Sequence, residues 1–249
     1  MTYDAIEAVR ADRAALIEIC GALTAADWTA ESGCPGWSVQ DVVAHIAVTF
    51  WQLQDPARLP DAGGLPFERA NDAYVESRRT WDPAKVLADY EDVSIDALDH
   101  LGTLAGLDIV VPVEGLGSYP ASVMPSAWAF DHYTHIRADL FGPRGPLAGP
   151  PPPDDELRIG AALDWIEAAL PQLNAEAATA CELDLQILGA GARSITFGAS
   201  GGTPKATVIS PDALSFVRWI TQRDGWADLG VQAAGDEAAV AVASKLRVF

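Results

Sequence analysis

Residues 34–45 read Cys34-Pro35-Gly36-Trp37-Ser38-Val39-Gln40-Asp41-Val42-Val43-Ala44-His45, a tight turn feeding a helix that carries a histidine on its second turn. Pro35-Gly36 turns the chain, Ser38 stands where an N-cap is needed, and Asp41 three residues later completes a variant of the capping box. Val39, Val42, Val43, Ile46 and Phe50 recur at helical spacing and carry this helix to about Gln54, where Pro56, Pro60 and the Gly63-Gly64 pair end it. His45 lies on the flank of that apolar stripe, where a side chain reaches into the open end of a helical bundle.

A second stretch far downstream completes the thought. A helix is expected over 122–140, with Ser122 as its cap and Pro125 tolerated in its first turn, and it contains Asp131-His132-Tyr133-Thr134-His135. Residues four apart share a helix face, so Asp131 and His135 sit with Met124, Ala127, Trp128 and Ala138, which are apolar or nearly so. A carboxylate and an imidazole on such a stripe need a partner, because an unpaired buried charge is expensive. A divalent metal supplies one; a salt bridge or an Asp–His hydrogen bond would too. With His45 the set becomes two nitrogens and one carboxylate, which leaves a coordination position free on zinc, as in catalytic rather than structural sites. Asp139, four residues after His135, is placed to hold the imidazole from behind, and His132 on a neighbouring face is a rival ligand.

Around these two stretches the chain reads as helix first and sheet later. Residues 4–22 form an amphipathic helix, 23–37 a connection, and 67–104 a helical region in two pieces that break near Trp81-Asp82-Pro83, with Asp82 as cap and Pro83 at the first helical position. Residues 105–118 read as a loop or short extended piece, and 142–153 as a stiff proline-rich loop after which Asp154 or Asp155 caps a helix to about 173. Beyond 175 the period changes to two: 183–187, 194–197 and 205–209 read as strands, with closing helices at about 211–222 and 235–247. Two domains follow, a helical one over 1–175 and a small α+β one over 176–249. The glycine-rich run Gly198–Gly202 lacks the lysine and the context of a phosphate-cradling loop and reads as a hairpin turn.

Bulk properties narrow the function classes. With 35 acidic against 16 basic residues the net charge is -19, which argues against partners such as nucleic acid or an anionic membrane that require a basic face. No run approaches the roughly 18 apolar residues of a membrane span, and the first residues lack the basic-then-apolar pattern of a signal peptide. Three cysteines without a close-spaced pair suit a reducing cytoplasm. The cysteines are also poor nucleophile candidates, since none has a basic neighbour in sequence.

Leu23-Thr24-Ala25-Ala26-Asp27-Trp28, the Cys34–Ser38 turn with its helix to His45, and Asp131–His135 together resemble the mycothiol-dependent maleylpyruvate isomerase family, within the wider DinB-like metal-binding bundles. Trp219-Ile220-Thr221-Gln222-Arg223, Ala233-Ala234-Gly235-Asp236 and the final Phe249 resemble that family's closing pattern. The resemblance implies a DinB-like up-down four-helix bundle followed by a small α+β domain similar to a sterol carrier domain. It implies a divalent metal, usually zinc, held by a histidine on the second helix and a Glu-x-x-x-His pair; carried over, these are His45, Asp131 and His135, with aspartate where the isomerases have glutamate. The family's arginine that helps bind an anionic substrate matches Arg223. The expected function is a metal-dependent enzyme that uses mycothiol or a similar small thiol for isomerisation or S-transfer to a small anionic electrophile. A metal-dependent hydrolase on the same bundle and a non-catalytic metal or small-molecule binding module are the alternatives.

Overall fold

The computed structural model describes residues 2–198 and 201–249. The chain divides into two compact units, Met1–Pro153 and Asp154–Phe249. No helix among the described residues is long and apolar enough to cross a membrane.

The first unit is helical. In chain order it contains α1 (Thr2–Ala22), α2 (Ala25–Thr29), α3 (Val39–Gln54), α4 (Phe67–Glu76) and α5 (Pro83–Ala105), then a hairpin of β1 (Val110–Val113) and β2 (Gly117–Pro120), then α6 (Met124–Thr134). α6 continues into a π-helical segment, His135–Leu140. The four long helices α1, α3, α5 and α6 pack against one another. Leu16, Val43, Ile46, Phe50, Tyr90, Leu101 and Ile136 are fully buried between them, each contributing about 1.5–3 kcal/mol of hydrophobic stabilisation. A buried ion pair runs through that core: the Arg137 guanidinium donates to both Asp12 oxygens at 2.9 and 3.0 Å and ties the π-helical segment to α1. The same guanidinium donates to the Pro153 carbonyl, fixing the end of the unit.

Several local expectations need correction. Residues 23–37 are not wholly a connection, because Thr24 and Asp27 form a reciprocal capping box that starts α2. Asp82 occupies the cap position of α5 with Pro83 behind it, but its side chain makes no capping bond. α6 starts at Met124 after a 3₁₀ turn, Ala121–Val123, so Ser122 is inside that turn and Val123 takes the cap position.

The second unit is α+β: α7 (Glu156–Leu173), α8 (Ala175–Ala180), β3 (Glu182–Ile187), β4 (Arg193–Gly198), β5 (Lys205–Ser210), α9 (Ala213–Ile220), α10 (Trp226–Leu229), β6 (Gln232–Gly235) and α11 (Glu237–Ala243). Its sheet runs β4-β3-β5-β6, with β3 and β5 parallel and the other pairs antiparallel. Alternation puts Leu183, Leu185 and Ile187 on the buried face of β3. Asp155 caps α7 by accepting from the Arg158 amide. α7, which the sequence groups with the bundle, contacts β4 of this sheet. Its Asp164 pairs with Arg193 of β4 at 2.7 Å, and any Cβ at Gly191 would collide with its Ile159. The glycine-rich link after β4 is not a hairpin turn, because β4 and β5 flank β3 on opposite sides; its Ala199 and Ser200 lie outside the described residues. β6 is a fourth strand within the stretch ahead of the last helix, which is shorter than its periodicity suggests.

Candidate metal centre

The local chemistry of the 34–45 stretch aims His45. Gly36 takes φ +81°, a conformation that side-chain-bearing residues resist, and turns the chain into α3. Ser38 Oγ accepts from the Asp41 amide and Asp41 Oδ2 accepts from the Ser38 amide at 2.9 Å, the full capping box. Arg79 clamps the turn from outside, donating to the Gly36 carbonyl at 2.9 Å and to Asp41 Oδ1 at 3.3 Å. With the helix start locked, the seventh residue of α3, His45, is held at 6% exposure facing α6.

On the other side, Asp131 lies in the last turns of α6 and His135 opens the π-helical segment. π-helical turns are rare and gather at functional sites; this one brings Asp139 back under His135. His135 Nδ1 donates to Asp139 Oδ2 at 2.8 Å, and Asp139 is fully buried. Gly33 makes that approach feasible: its amide donates to the Asp139 carbonyl at 2.8 Å, and a Cβ there would sit 2.8 Å from Asp139 Cα and 2.9 Å from the Ala138 carbonyl. Arg144 in turn donates to the Gly33 carbonyl at 2.8 Å.

Three donors therefore converge. Asp131 Oδ1 is 3.3 Å from His45 Nε2 and 3.4 Å from His135 Nε2, and one ligand atom from each residue lies within 4.8 Å of the others. Donors sharing a tetrahedral ion at ~2.0–2.2 Å stand about 3.3–3.6 Å apart, whereas a good N–H···O bond is about 2.7–3.2 Å long. The spacing around Asp131 matches shared coordination better than it matches two hydrogen bonds. The 2.8 Å between His135 and Asp139 is the converse, a hydrogen bond too short for two ligands of one ion. Two buried polar atoms of the set, His45 Nδ1 and Asp131 Oδ2, have no hydrogen-bond partner among the described residues. A buried carboxylate oxygen left so is costly, so the residues fit a cation placed among them.

The electrostatics point the same way. Burial by itself would push the Asp131 carboxyl up, but His45 and His135 beside it, with their hydrogen bonds, hold it well below the usual carboxylate range. Burial disfavours a charged His135, yet Asp131, then Cys34, then the bonds to Asp131 and Asp139 raise its pKa well above the ordinary histidine value. The pocket is thus a strong trap for positive charge, whether a proton on His135 or a metal ion.

His132 is not in this set. It is fully buried, with Nδ1 donating to the Trp128 carbonyl at 2.8 Å and Nε2 accepting from the Tyr90 hydroxyl at 3.0 Å, and burial holds its pKa down. Both nitrogens are consumed by the core, so it does not compete as a ligand. Arg223 belongs to the second unit, half-buried in the turn after α9, with its amide bonded to the Arg218 carbonyl at 2.8 Å.

Two neighbours of the centre carry no sequence signal for their place in it. Cys34 Sγ lies 3.7 Å from His135 Nδ1, although 101 residues separate them. The Trp37 ring lies over both imidazoles, 5.0 Å from His45 and 6.4 Å from His135 between centroids, and its Nε1 donates to Asp72 of α4. Pro35-Gly36 announces only a turn; that the turn lands on the centre depends on the Gly33 contact.

Comparison with known proteins gives a consistent picture. Residues 9–141 match the family described as the mycothiol maleylpyruvate isomerase N-terminal domain, a span that contains all three converging residues. The solved structure of the mycothiol-dependent maleylpyruvate isomerase is similar over 94% of this chain and 93% of its own, at 15% identity and a TM-score of 0.61. A variant of that enzyme with one histidine replaced by alanine aligns over the same shares, at 13% identity and a TM-score of 0.60. At such identity the likeness establishes the shared fold, a helical N-terminal part followed by an α+β part. No curated protein sequence matches this chain.

Proposed function

Because the chain belongs to the mycothiol maleylpyruvate isomerase N-terminal domain family, we propose that His45, Asp131 and His135 hold one divalent metal ion, zinc by preference, in an enzyme that uses a low-molecular-weight thiol. The observation that carries this reading is the donor spacing of 3.3 and 3.4 Å around Asp131 Oδ1, together with the unpartnered Asp131 Oδ2. Aspartate in place of the family's glutamate does not weaken the fit, since the shorter carboxylate already reaches both imidazoles. A divalent ion bound there supplies the Lewis acidity that keeps a coordinated thiol deprotonated at neutral pH.

The chain's own residues prepare that chemistry. Asp139 keeps the proton of His135 on Nδ1, so the Nε2 lone pair faces Asp131 and His45. Asp131 stays ionised because both neighbouring rings favour its charged form. Trp37 shields one side of the rings from water. With a divalent ion held by these three residues, one coordination position would remain for sulfur. We assign mycothiol or a similar thiol to that position, and a small anionic electrophile to Arg223, whose guanidinium suits a carboxylate. Addition of a thiolate to an unsaturated carbon would break the C=C π bond and leave a carbanion; expulsion of the thiolate after bond rotation would isomerise the substrate, and protonation of the carbanion with the C–S bond kept would give S-transfer. The setting we infer is the cytoplasm, where the three cysteines, all free, stay reduced.

The test is metal analysis of untagged protein beside His45→Ala and His135→Ala, followed by turnover assays with and without mycothiol. About one zinc per chain, lost in both variants, and turnover that requires thiol would support the reading. Bound zinc with thiol-independent ester or amide hydrolysis would replace it with the hydrolase alternative, and failure to bind offered zinc would end it.

A further inference from the structure

A second site lies in the first unit, away from the metal centre. A cleft of about 520 Å³ is lined by Trp51, Arg58, Ser77, Arg78, Trp81 and Asp89, among others. Trp51 stands six residues beyond His45 on α3, about 9 Å along the helix. The volume is within the range of small-ligand pockets.

Its walls are arranged around cations. Trp51 Nε1 donates to Asp89 Oδ1 at 3.1 Å and Arg78 Nε donates to Asp89 Oδ2 at 3.3 Å, so the cleft's one carboxylate is engaged on both oxygens. Arg78 is only 5% exposed, and its Nη1 reaches Ser77 Oγ and the Tyr74 carbonyl at 3.3 and 3.4 Å. Its Nη2 has no hydrogen-bond partner among the described residues. Arg58 sits over the Trp51 ring, its Cζ 4.4 Å from the centroid, and its one ion-pair partner among the described residues is Asp55, at a long 3.5 Å. Lys85 and Arg78 cover the ring of Trp81, at 3.6 and 5.1 Å. A guanidinium stacked on an indole uses its face and keeps its in-plane N–H donors free. Each of the two guanidiniums has one carboxylate partner, Asp89 for Arg78 and Asp55 for Arg58, yet keeps N–H donors to spare, on a protein whose net charge is -19.

We propose that this cleft binds a small oxyanion, a carboxylate or phosphate group held between the free donors of Arg58 and Arg78 with the two indoles as side walls. The Asp89 bonds set the Arg78 fork before the ligand arrives, which lowers the ordering cost of binding. Arg58, with its side chain 63% exposed, is the partner that meets the anion from the solvent side.

Isothermal titration of the purified protein with inorganic phosphate and, separately, with succinate tests this, each against sodium chloride at matched ionic strength. The expected result is saturable binding of at least one probe that chloride does not reproduce. Phosphate alone binding identifies a phosphoryl ligand, and succinate alone a carboxylate one. Arg58→Ala should weaken the binding at least tenfold with unchanged Tm, since this arginine makes no buried contact. Arg78→Lys, which keeps the charge beside Asp89 but loses the planar fork, should weaken it as well. The affinity should be the same with the metal centre stripped, which separates this site from the reading of that centre. No saturable heat beyond the chloride control up to about 10 mM probe, or equal affinity in wild type and Arg58→Ala, would overturn the proposal.

Discussion

Replacing Asp139 by asparagine tests how the metal centre is held without touching any of the three converging donors. The substitution keeps volume and shape, and Asn Oδ1 still accepts from His135 Nδ1 across the 2.8 Å gap. What disappears is the charge, and a charge-assisted hydrogen bond is roughly twice as strong as a neutral one. The fully buried position makes screening small. The imidazole then becomes a weaker donor through Nε2 and less fixed in orientation. Loss of such a partner typically lowers metal affinity about 10–100-fold, equivalent to roughly 1.4–2.7 kcal/mol. Competition for zinc against a chromophoric chelator measures that ratio directly. The comparison is His100→Gln, which alters a histidine paired with Gln54 outside the centre and should leave affinity unchanged. Asparagine at 139 binding zinc within twofold of wild type, with the fold intact by circular dichroism, would refute the argument that Asp139 orients a ligand.

Four further outcomes follow from the structure. Because His135 in the metal-free protein has its pKa raised well above the ordinary value, it carries a proton at pH 7, and zinc must displace it; calorimetry in buffers of different ionisation enthalpy should show about one proton released per ion, with affinity falling as pH drops. The linked stability has the matching sign: the protonated pair stabilises the metal-free fold fully below the unfolded histidine pKa and loses that contribution as pH rises through the raised folded value, so a metal-free Tm that climbs with pH across that window would contradict it. Gly33→Ala should destabilise the fold by about 1–3 kcal/mol and loosen metal binding, since the new methyl meets Asp139 Cα at 2.8 Å; an unchanged Tm in thermal melts would count against this contact. In native alkylation with mass-spectrometric mapping, half-buried Cys34 should react first, while Cys20, whose thiol burial pushes up to about 12, stays protected until unfolding.

Much of the site was legible because its cues are local. Ser38 and Asp41 announce the start of α3, and the Asp131–His135 spacing announces a shared face. Asp139 is legible for the same reason, at four residues from His135. What escaped depends on contacts between distant segments. Nothing in His135–Leu140 marks a π-helical turn, and the groups that meet it, Gly33 and Asp12, are distant in sequence. Cys34 and Trp37 gain their places at the centre only when the turn docks on that segment. α7 looks like one more bundle helix until Asp164 and Ile159 meet β4 and the turn before it. The strand β6 is short and exposed along its length, so it lacks the alternation that revealed β3. The Thr24–Asp27 box, by contrast, carried the same signature as Ser38–Asp41 and was readable; the shortness of α2 hides it among turn residues.

The most direct test of the central reading is zinc K-edge absorption spectroscopy on the zinc-loaded protein before and after mycothiol is added. Two imidazoles and one carboxylate predict only nitrogen and oxygen neighbours at ~2.0–2.2 Å at first, and one sulfur neighbour at about 2.3 Å once thiol is present. A sulfur neighbour already present without thiol would place Cys34 on the metal and contradict the open position. An edge unchanged by thiol would contradict the proposed chemistry.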